Sequence, residues 1–197
     1  MSEHMALENL TVLDLTRVLA GPFCTMMLAD MGANVIKIEV PKGGDDTRSY
    51  PPFRAKNLNG ERESVYFANI NRNKKGITLN LKAPEGKEIF KELVKKADIV
   101  VENYRPGVMD KLGLGYDVLK EINPRIIYAA VSGFGCYGPY HLRPGYDILA
   151  QAMGGMMSIT GSKGGEPTRA GSALGDILGG LHVTIGILAA AVSYTHL

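Results

Sequence analysis

The residues best suited to chemistry gather around one carboxylate. Gly175-Asp176 stands at the head of the chain's last apolar run, and its neighbours Gly171, Ser172, Ala173, Gly179 and Gly180 are all small. An aspartate at a helix start accepts bonds from orphan backbone N–H groups, and the helix dipole favours its ionised form. An ionised carboxylate in an apolar setting can attack an acyl carbon. Small neighbours let a bulky substrate approach the backbone. Read alone, the same spacing also suits an ordinary helix cap, as does Asp147 at the head of the preceding helix. His182, on the last helix, reads as a packed core or interface histidine.

Two other clusters offer contacts for a phosphorylated ligand. Arg72, Asn73, Lys74 and Lys75 put three cations in four residues, Arg as a fork and Lys as a point charge. Their plain alternative is a solvated basic turn. Glu102-Asn103-Tyr104-Arg105-Pro106-Gly107 supplies an amide, a stacking face and a further cation. Its plain alternative is a strand end running into a Pro-Gly helix start.

Other chemistries are disfavoured. The turn Asp14-Leu15-Thr16-Arg17-Val18-Leu19-Ala20-Gly21-Pro22 has one glycine followed by proline, so a nicotinamide or flavin cofactor is not expected. Cys24 and Cys136 are too few for a disulfide framework and read as reduced thiols. No metal is expected. A net charge of +2 implies neither nucleic-acid nor membrane partners. Met1 to Glu8 is polar and lacks the apolar run of a signal peptide. Ile177 to Val192 is shorter than the roughly 20 residues a spanning helix needs, so a buried helix and a cytoplasmic location are expected.

The elements that must position these residues alternate. Leu10–Thr16, Val35–Glu39, Ile77–Leu81, Asp98–Asn103 and Ile126–Val131 read as strands. Phe23–Met31, Pro84–Ala97, Val108–Leu112, Val118–Ile122, Tyr146–Ile159 and Asp176–Val192 read as helices. Pro41–Glu63, Gly133–Gly145 and Ser162–Ser172 read as loops. Such alternation predicts an α/β fold: a Rossmann-like, open, mostly parallel sheet with helices on both faces, binding ligands at the carboxyl ends of its strands. Residues 1–9 are expected to be an N-terminal extension, 10–192 the domain, and 193–197 (Ser-Tyr-Thr-His-Leu) a non-native tail.

Four stretches carry a family resemblance: VLDLTRVLAGPFCTMMLADMGANVIKIE, NKKGITLNLK, DIVVENYRPGVMDKLGLGYDVLKEINPRIIYAAVSGFG, and GYDILAQAMGG followed by the loop to Gly175-Asp176. In this order they resemble the class III coenzyme A transferases, which include formyl-CoA transferase and L-carnitine CoA-transferase. The resemblance runs from Leu10 to about Ala191. It implies the N-terminal half of a longer enzyme whose small domain is absent here and whose two subunits interlock as a homodimer. It implies coenzyme A and acyl-CoA as substrates, a free carboxylic acid as acceptor, and Asp176 as the carboxylate that forms an aspartyl anhydride and then an aspartyl thioester. By position, Leu19, Ala20, Arg72, Asn73, Lys74, Asn103, Tyr104, Arg105 and Lys111 match coenzyme A contacts of relatives. Val40 and Ser132 stand where formyl-CoA transferases and some relatives carry basic residues, which argues against formyl-CoA or oxalate specificity. The alternatives are an α-methylacyl-CoA racemase and a coenzyme A-binding fragment without activity. Racemases resemble this chain but carry a histidine at the position of Tyr146, and tyrosine is a poor base at neutral pH.

Overall fold

Every strand of the sheet runs the same way. The computed structural model describes residues 4–54, 56, 60 and 62–196. In it, β1 (Thr11–Asp14), β2 (Asn34–Glu39), β3 (Lys75–Thr78), β4 (Ile99–Glu102) and β5 (Ile127–Ala130) pair in the order β3-β2-β1-β4-β5, all parallel. Seven α-helices are described: α1 (Ala20–Asp30), α2 (Val65–Ile70), α3 (Pro84–Val94), α4 (Val108–Leu112), α5 (Tyr116–Ile122), α6 (Asp147–Met153) and α7 (Leu174–His196).

Successive residues of a strand point to opposite faces, and β1 uses both. Leu13 joins Phe90, Val94, Val100, Met109, Leu114 and Leu119 in one core, beneath α3, α4 and α5. Val12 joins Cys24, Leu28, Val35, Ile99, Val101 and Ile187 in the other, beneath α1 and α7. Helices therefore cover both faces, the usual state of a parallel sheet. The chain leaves β1 toward β2 and β3, then returns to place β4 on the far side of β1. The crevice between the ends of β1 and β4 is the topological switch point, where open α/β sheets bind ligands.

Several boundaries differ from the sequence reading. α1 begins at Ala20, three residues early, because Pro22 is tolerated within a first helical turn. The single run Tyr146–Ile159 is divided: α6 ends at Met153, and a 3-10 turn covers Met156–Ile159 after Gly155 at φ 80°. The expected loop Pro41–Glu63 contains a 3-10 turn, Asp46–Ser49, and residues 55, 57–59 and 61 of it lie outside the described residues. α2 was not anticipated. Of the expected tail, Ser193 to His196 continue α7, and Leu197 lies outside the described residues.

α7 departs most from expectation. It has 23 residues, and Leu174–Ser193 is long and apolar enough to cross a membrane by length and composition. Only 22% of its most apolar window is buried, so it is not the buried core helix the sequence suggested. One stripe packs down: Thr184, Ile187 and Ala191 are buried, whereas Leu178, Leu181 and Ile185 are exposed. Close approach to α1 rests on Gly180, where an added Cβ would stand 2.4 Å from the Ala20 carbonyl oxygen. Gly180→Ala should therefore lower stability by about 1–3 kcal/mol. Gly186→Ala, whose Cβ meets nothing within 4 Å, should leave it unchanged or raise it by up to about 1 kcal/mol. Chemical denaturation of the two variants checks the contrast.

Candidate functional site

The turn after β1 is held from beneath by buried charge. Asp14 is fully buried. Its Oδ1 accepts from Thr16 N (2.8 Å) and Thr16 Oγ1 (2.5 Å), and its Oδ2 from Thr25 Oγ1 (2.7 Å) and Lys74 Nζ (3.0 Å). Burial raises its pKa, but Lys74, Lys37 and the two hydroxyls outweigh burial and leave it below the usual carboxylate range. Beside it, Lys37 Nζ donates to the Thr16 carbonyl (2.8 Å) and to Asp45 Oδ2 (2.9 Å).

The tip of that turn is gripped from two sides. Asp45 Oδ1 accepts from Val18 N at 3.2 Å. Asn103, just beyond β4, accepts from Arg17 N (2.9 Å) through Oδ1 and donates to the Arg17 carbonyl (2.7 Å) through Nδ2. Val18 sits at φ 68°, a left-handed conformation that a β-branched residue adopts only when its surroundings impose it. Thr16 also presses on Gly21, where a Cβ would stand 2.4 Å from Thr16 Cγ2.

The next strand end carries a second buried carboxyl. Glu102 Oε2 accepts from Tyr104 N at 2.7 Å and Oε1 from the Tyr128 hydroxyl at 3.3 Å. Burial dominates, the two bonds oppose it, Asp110 adds to it, and the pKa is pushed up to about 7.

Asp176 completes the arrangement from α7. It is the third helical residue and not the cap, a correction to the sequence reading. It makes no side-chain hydrogen bond or ion pair among the described residues. Its pKa is raised, first by burial and then by Asp147, the direction opposite to the ionised form that the sequence favours. Asp147 is likewise not a cap of its own helix, whose capping position is Tyr146. Instead its Oδ1 accepts from Gly175 N at 2.8 Å.

A cavity of about 570 Å³ opens over the switch point. Its walls include Arg17–Ala20, Asn103–Pro106, Val131–Phe134, Arg143–Tyr146 and, on α7, Gly175, Asp176 and Gly179. Three guanidinium groups line it with the one carboxylate. Arg17 lies 3.4 Å from Asp46 Oδ2, and both are substantially exposed. Arg143 stacks on Tyr140, 4.1 Å from the ring centre. Neither Arg105 nor Arg143 has an ion pair among the described residues. Ser132 Oγ in the cavity wall is buried and has no hydrogen-bond partner.

The anticipated residues divide into two groups. Leu19, Ala20, Asn103, Tyr104, Arg105 and Asp176 meet at this cavity. Arg72, Asn73, Lys74 and Lys111 do not line it. Arg72 and Asn73 both bind the Asp30 carboxylate at the end of α1. Lys74 is buried against Asp14, the Pro22 carbonyl and Asn71, so in this chain its ammonium is committed to structure. Lys111 is exposed on α4. Asn103 spends its side-chain amide on Arg17. His182 is exposed, with Nδ1 2.8 Å from the Leu178 carbonyl oxygen, and is not a core residue. Arg17, Arg143 and Gln151 were missed as site residues. Arg17 stood in view within the β1 turn, and Gln151 follows Asp147 at the i,i+4 spacing that brings side chains together.

The raised Glu102 pKa gives a pH signature. A carboxyl whose folded pKa exceeds its unfolded value favours folding below the unfolded pKa, and that contribution is lost as pH rises through the folded pKa. The window runs from 4.5 to about 7. Glu102→Gln keeps an acceptor for Tyr104 N and carries no charge. It should exceed the wild type in stability by up to about 3 kcal/mol at about pH 8, and the advantage should shrink toward zero near about pH 4.5. Denaturation curves across that range test it.

Residues 7–195 match the family model described as CoA-transferase family III. An acyl-CoA transferase of Fusarium pseudograminearum is 51% identical over 195 residues, covering 98% of this chain and 43% of that protein. A succinyl-CoA:glutarate CoA-transferase of Homo sapiens is 48% identical over 193 residues, with the same two coverages. The crystal structure of a CaiB/BaiF family protein from Brucella suis superposes with a TM-score of 0.93 at 44% identity, covering 98% of this chain and 50% of that one. The chain thus spans half or less of the length of these relatives.

Proposed function

The chain belongs to CoA-transferase family III, and from that premise we propose that the whole protein moves coenzyme A from an acyl-CoA to a free carboxylic acid, with Asp176 as the covalent carrier. The observation that carries this reading is the placement of one carboxylate in a cavity whose other charged lining residues are three arginines, over the switch point of the sheet.

The chemistry balances without an added reactant. A carboxylate oxygen of Asp176 attacks the donor thioester carbonyl. The carbon–sulfur bond breaks, coenzyme A leaves as thiolate, and a mixed anhydride remains. The thiolate attacks the aspartyl carbonyl of that anhydride, releasing the donor's acid and leaving an aspartyl thioester. The acceptor carboxylate attacks this thioester and expels the thiolate to form a second anhydride. Attack of the thiolate on the acceptor's acyl carbon frees Asp176 and releases the new acyl-CoA. Each step exchanges activated acyl species, so the protein's task is to place the groups and keep out water, which would hydrolyse the anhydrides.

Arg105 and Arg17 suit the phosphates of coenzyme A, because a guanidinium fork matches phosphate oxygens. A cavity with a further unpaired guanidinium, Arg143, also suits an acceptor with a second carboxylate. The human relative is named for succinyl-CoA and glutarate, so dicarboxylic acids head the acceptors to screen. The covering of the exposed flank of α7 is assigned to the remainder of the protein and to a second subunit in an interlocked dimer. Racemase chemistry is a weaker reading, because Tyr146 occupies the cavity wall where a base would be needed.

In the whole protein, Asp176→Asn should reduce transfer by at least about 10³-fold while acyl-CoA binding persists. Turnover near the wild-type rate in that variant rejects the carrier role.

A further inference from the structure

α6 and α7 meet through a small polar joint beside Asp176. Gln151 is 2% exposed, an unusual degree of burial for glutamine, and every polar atom of its amide is engaged. Its Nε2 donates to Asp147 Oδ2 (2.8 Å) and to the Ser172 carbonyl (3.3 Å), and its Oε1 accepts from Ala170 N (2.8 Å). The other oxygen of Asp147 accepts from Gly175 N, the residue before Asp176. Gly175 is pressed close to α6: a Cβ there would stand 2.9 Å from Ala150 Cβ and 3.1 Å from Asp147 Oδ1. Ala170, Ser172 and Gly175, three points on the segment leading into the first turn of α7, are thus tied to two side chains one helical turn apart.

We propose that Asp147 and Gln151 are positioning residues for acyl transfer at Asp176: the pair fixes where α7 begins, and the Asp147 charge opposes the Asp176 carboxylate until acylation neutralises it. This rests on Asp176 being the acyl carrier. Two like charges close together destabilise each other. Conversion of the Asp176 carboxylate to an anhydride or thioester removes one of them, so Asp147 favours the acylated state over the free one. Asp147 touches no reacting atom and acts through Asp176.

The titratable and charged groups around Asp176 are Asp147 on α6, Tyr66 on α2, Arg17, Arg105 and Arg143 at the cavity, and Tyr104 and Tyr146 in its wall. Tyr66 feels the Asp176 charge, and its hydroxyl pKa is raised by burial and by Asp176. Burial and then Asp147 raise the Asp176 pKa.

Asp147→Asn in the whole protein removes the charge while its amide oxygen still accepts from Gly175 N; its Nδ2 then faces Gln151 Nε2, and Gln151→Met, which breaks that same bond but keeps the charge, is its control. Single-turnover acylation by an acyl-CoA donor should slow about tenfold, with the donor KM unchanged and the acid limb of the pH–rate profile moved to lower pH. A purely structural Asp147 would leave the acid limb where the wild type has it, whatever the rate, and that result overturns the charge role. Gln151→Met frees Ala170 and Ser172 but keeps the charge; kcat should fall without movement of the acid limb, and an unchanged kcat removes Gln151 from the pair. If the asparagine variant does not fold, the wild type decides: an acid limb at or below the ordinary aspartate value of 3.8 overturns the charge role. Active Asp176→Asn would instead reject the carrier, a separate outcome.

Discussion

The buried carboxylate of Asp14 is the constraint from which the rest of the site follows. It lies at the end of the central strand, fully out of water, and meets the Lys74 ammonium at 3.0 Å. A buried ion pair adds little net stability, because removing both charges from water costs about what their attraction returns. Losing one partner, however, strands the other and costs about 3–5 kcal/mol. Such a pair therefore specifies geometry more than it stabilises. Here the geometry specified is that of the β1–α1 turn: Asp14 binds Thr16, and the neighbouring pair Lys37–Asp45 binds Thr16 and Val18. Asn103 then ties the turn to the end of β4. The floor of the cavity is thus built from side chains that never need to touch a ligand.

The same division of labour recurs at the opposite wall. Asp147 and Gln151 lock the head of α7, and α7 is seated against α1 through Gly180. A carboxylate that must attack an acyl carbon gains rate from being held in place and screened from water. Asp176 reaches the cavity from a helix anchored at both its first turn and its second, while its own oxygens stay free of hydrogen bonds to the described residues. The small residues around it divide between close packing and open space. Gly175 and Gly180 are filled by α6 and α1, whereas Gly171 and Gly179 have open space beside them.

The strands and most helices could be read from the sequence because their signals are local. Val12, Leu13 and Leu15 announce a strand buried on both faces, and Pro84 followed by Ile89, Phe90, Leu93 and Val94 announces an amphipathic helix. The Asn103–Arg105 turn was legible as well, since a parallel sheet places strand-end residues at its ligand crevice, whereas Asp176 was marked only by its place at the head of an apolar run. What stayed hidden was pairing across distance. Nothing near Lys74 in the sequence indicates that Asp14, sixty residues earlier, will claim its charge, or that Asp30 will hold Arg72. A run of basic residues reads as a phosphate site until its partners are known. α7 misled for a related reason: its composition is apolar all round, so no periodicity within the helix marks the one stripe that packs down.

Passage of the acyl group through Asp176 is the step on which the proposed transfer depends. Peptide-level mass spectrometry of the whole protein, quenched during turnover of an acyl-CoA and a carboxylic acid and treated with hydroxylamine, tests this directly. The predicted result is a hydroxamate on the peptide containing Asp176 and on no other. A transferase that turns over with that peptide unmodified, or with the mark on a different residue, contradicts it.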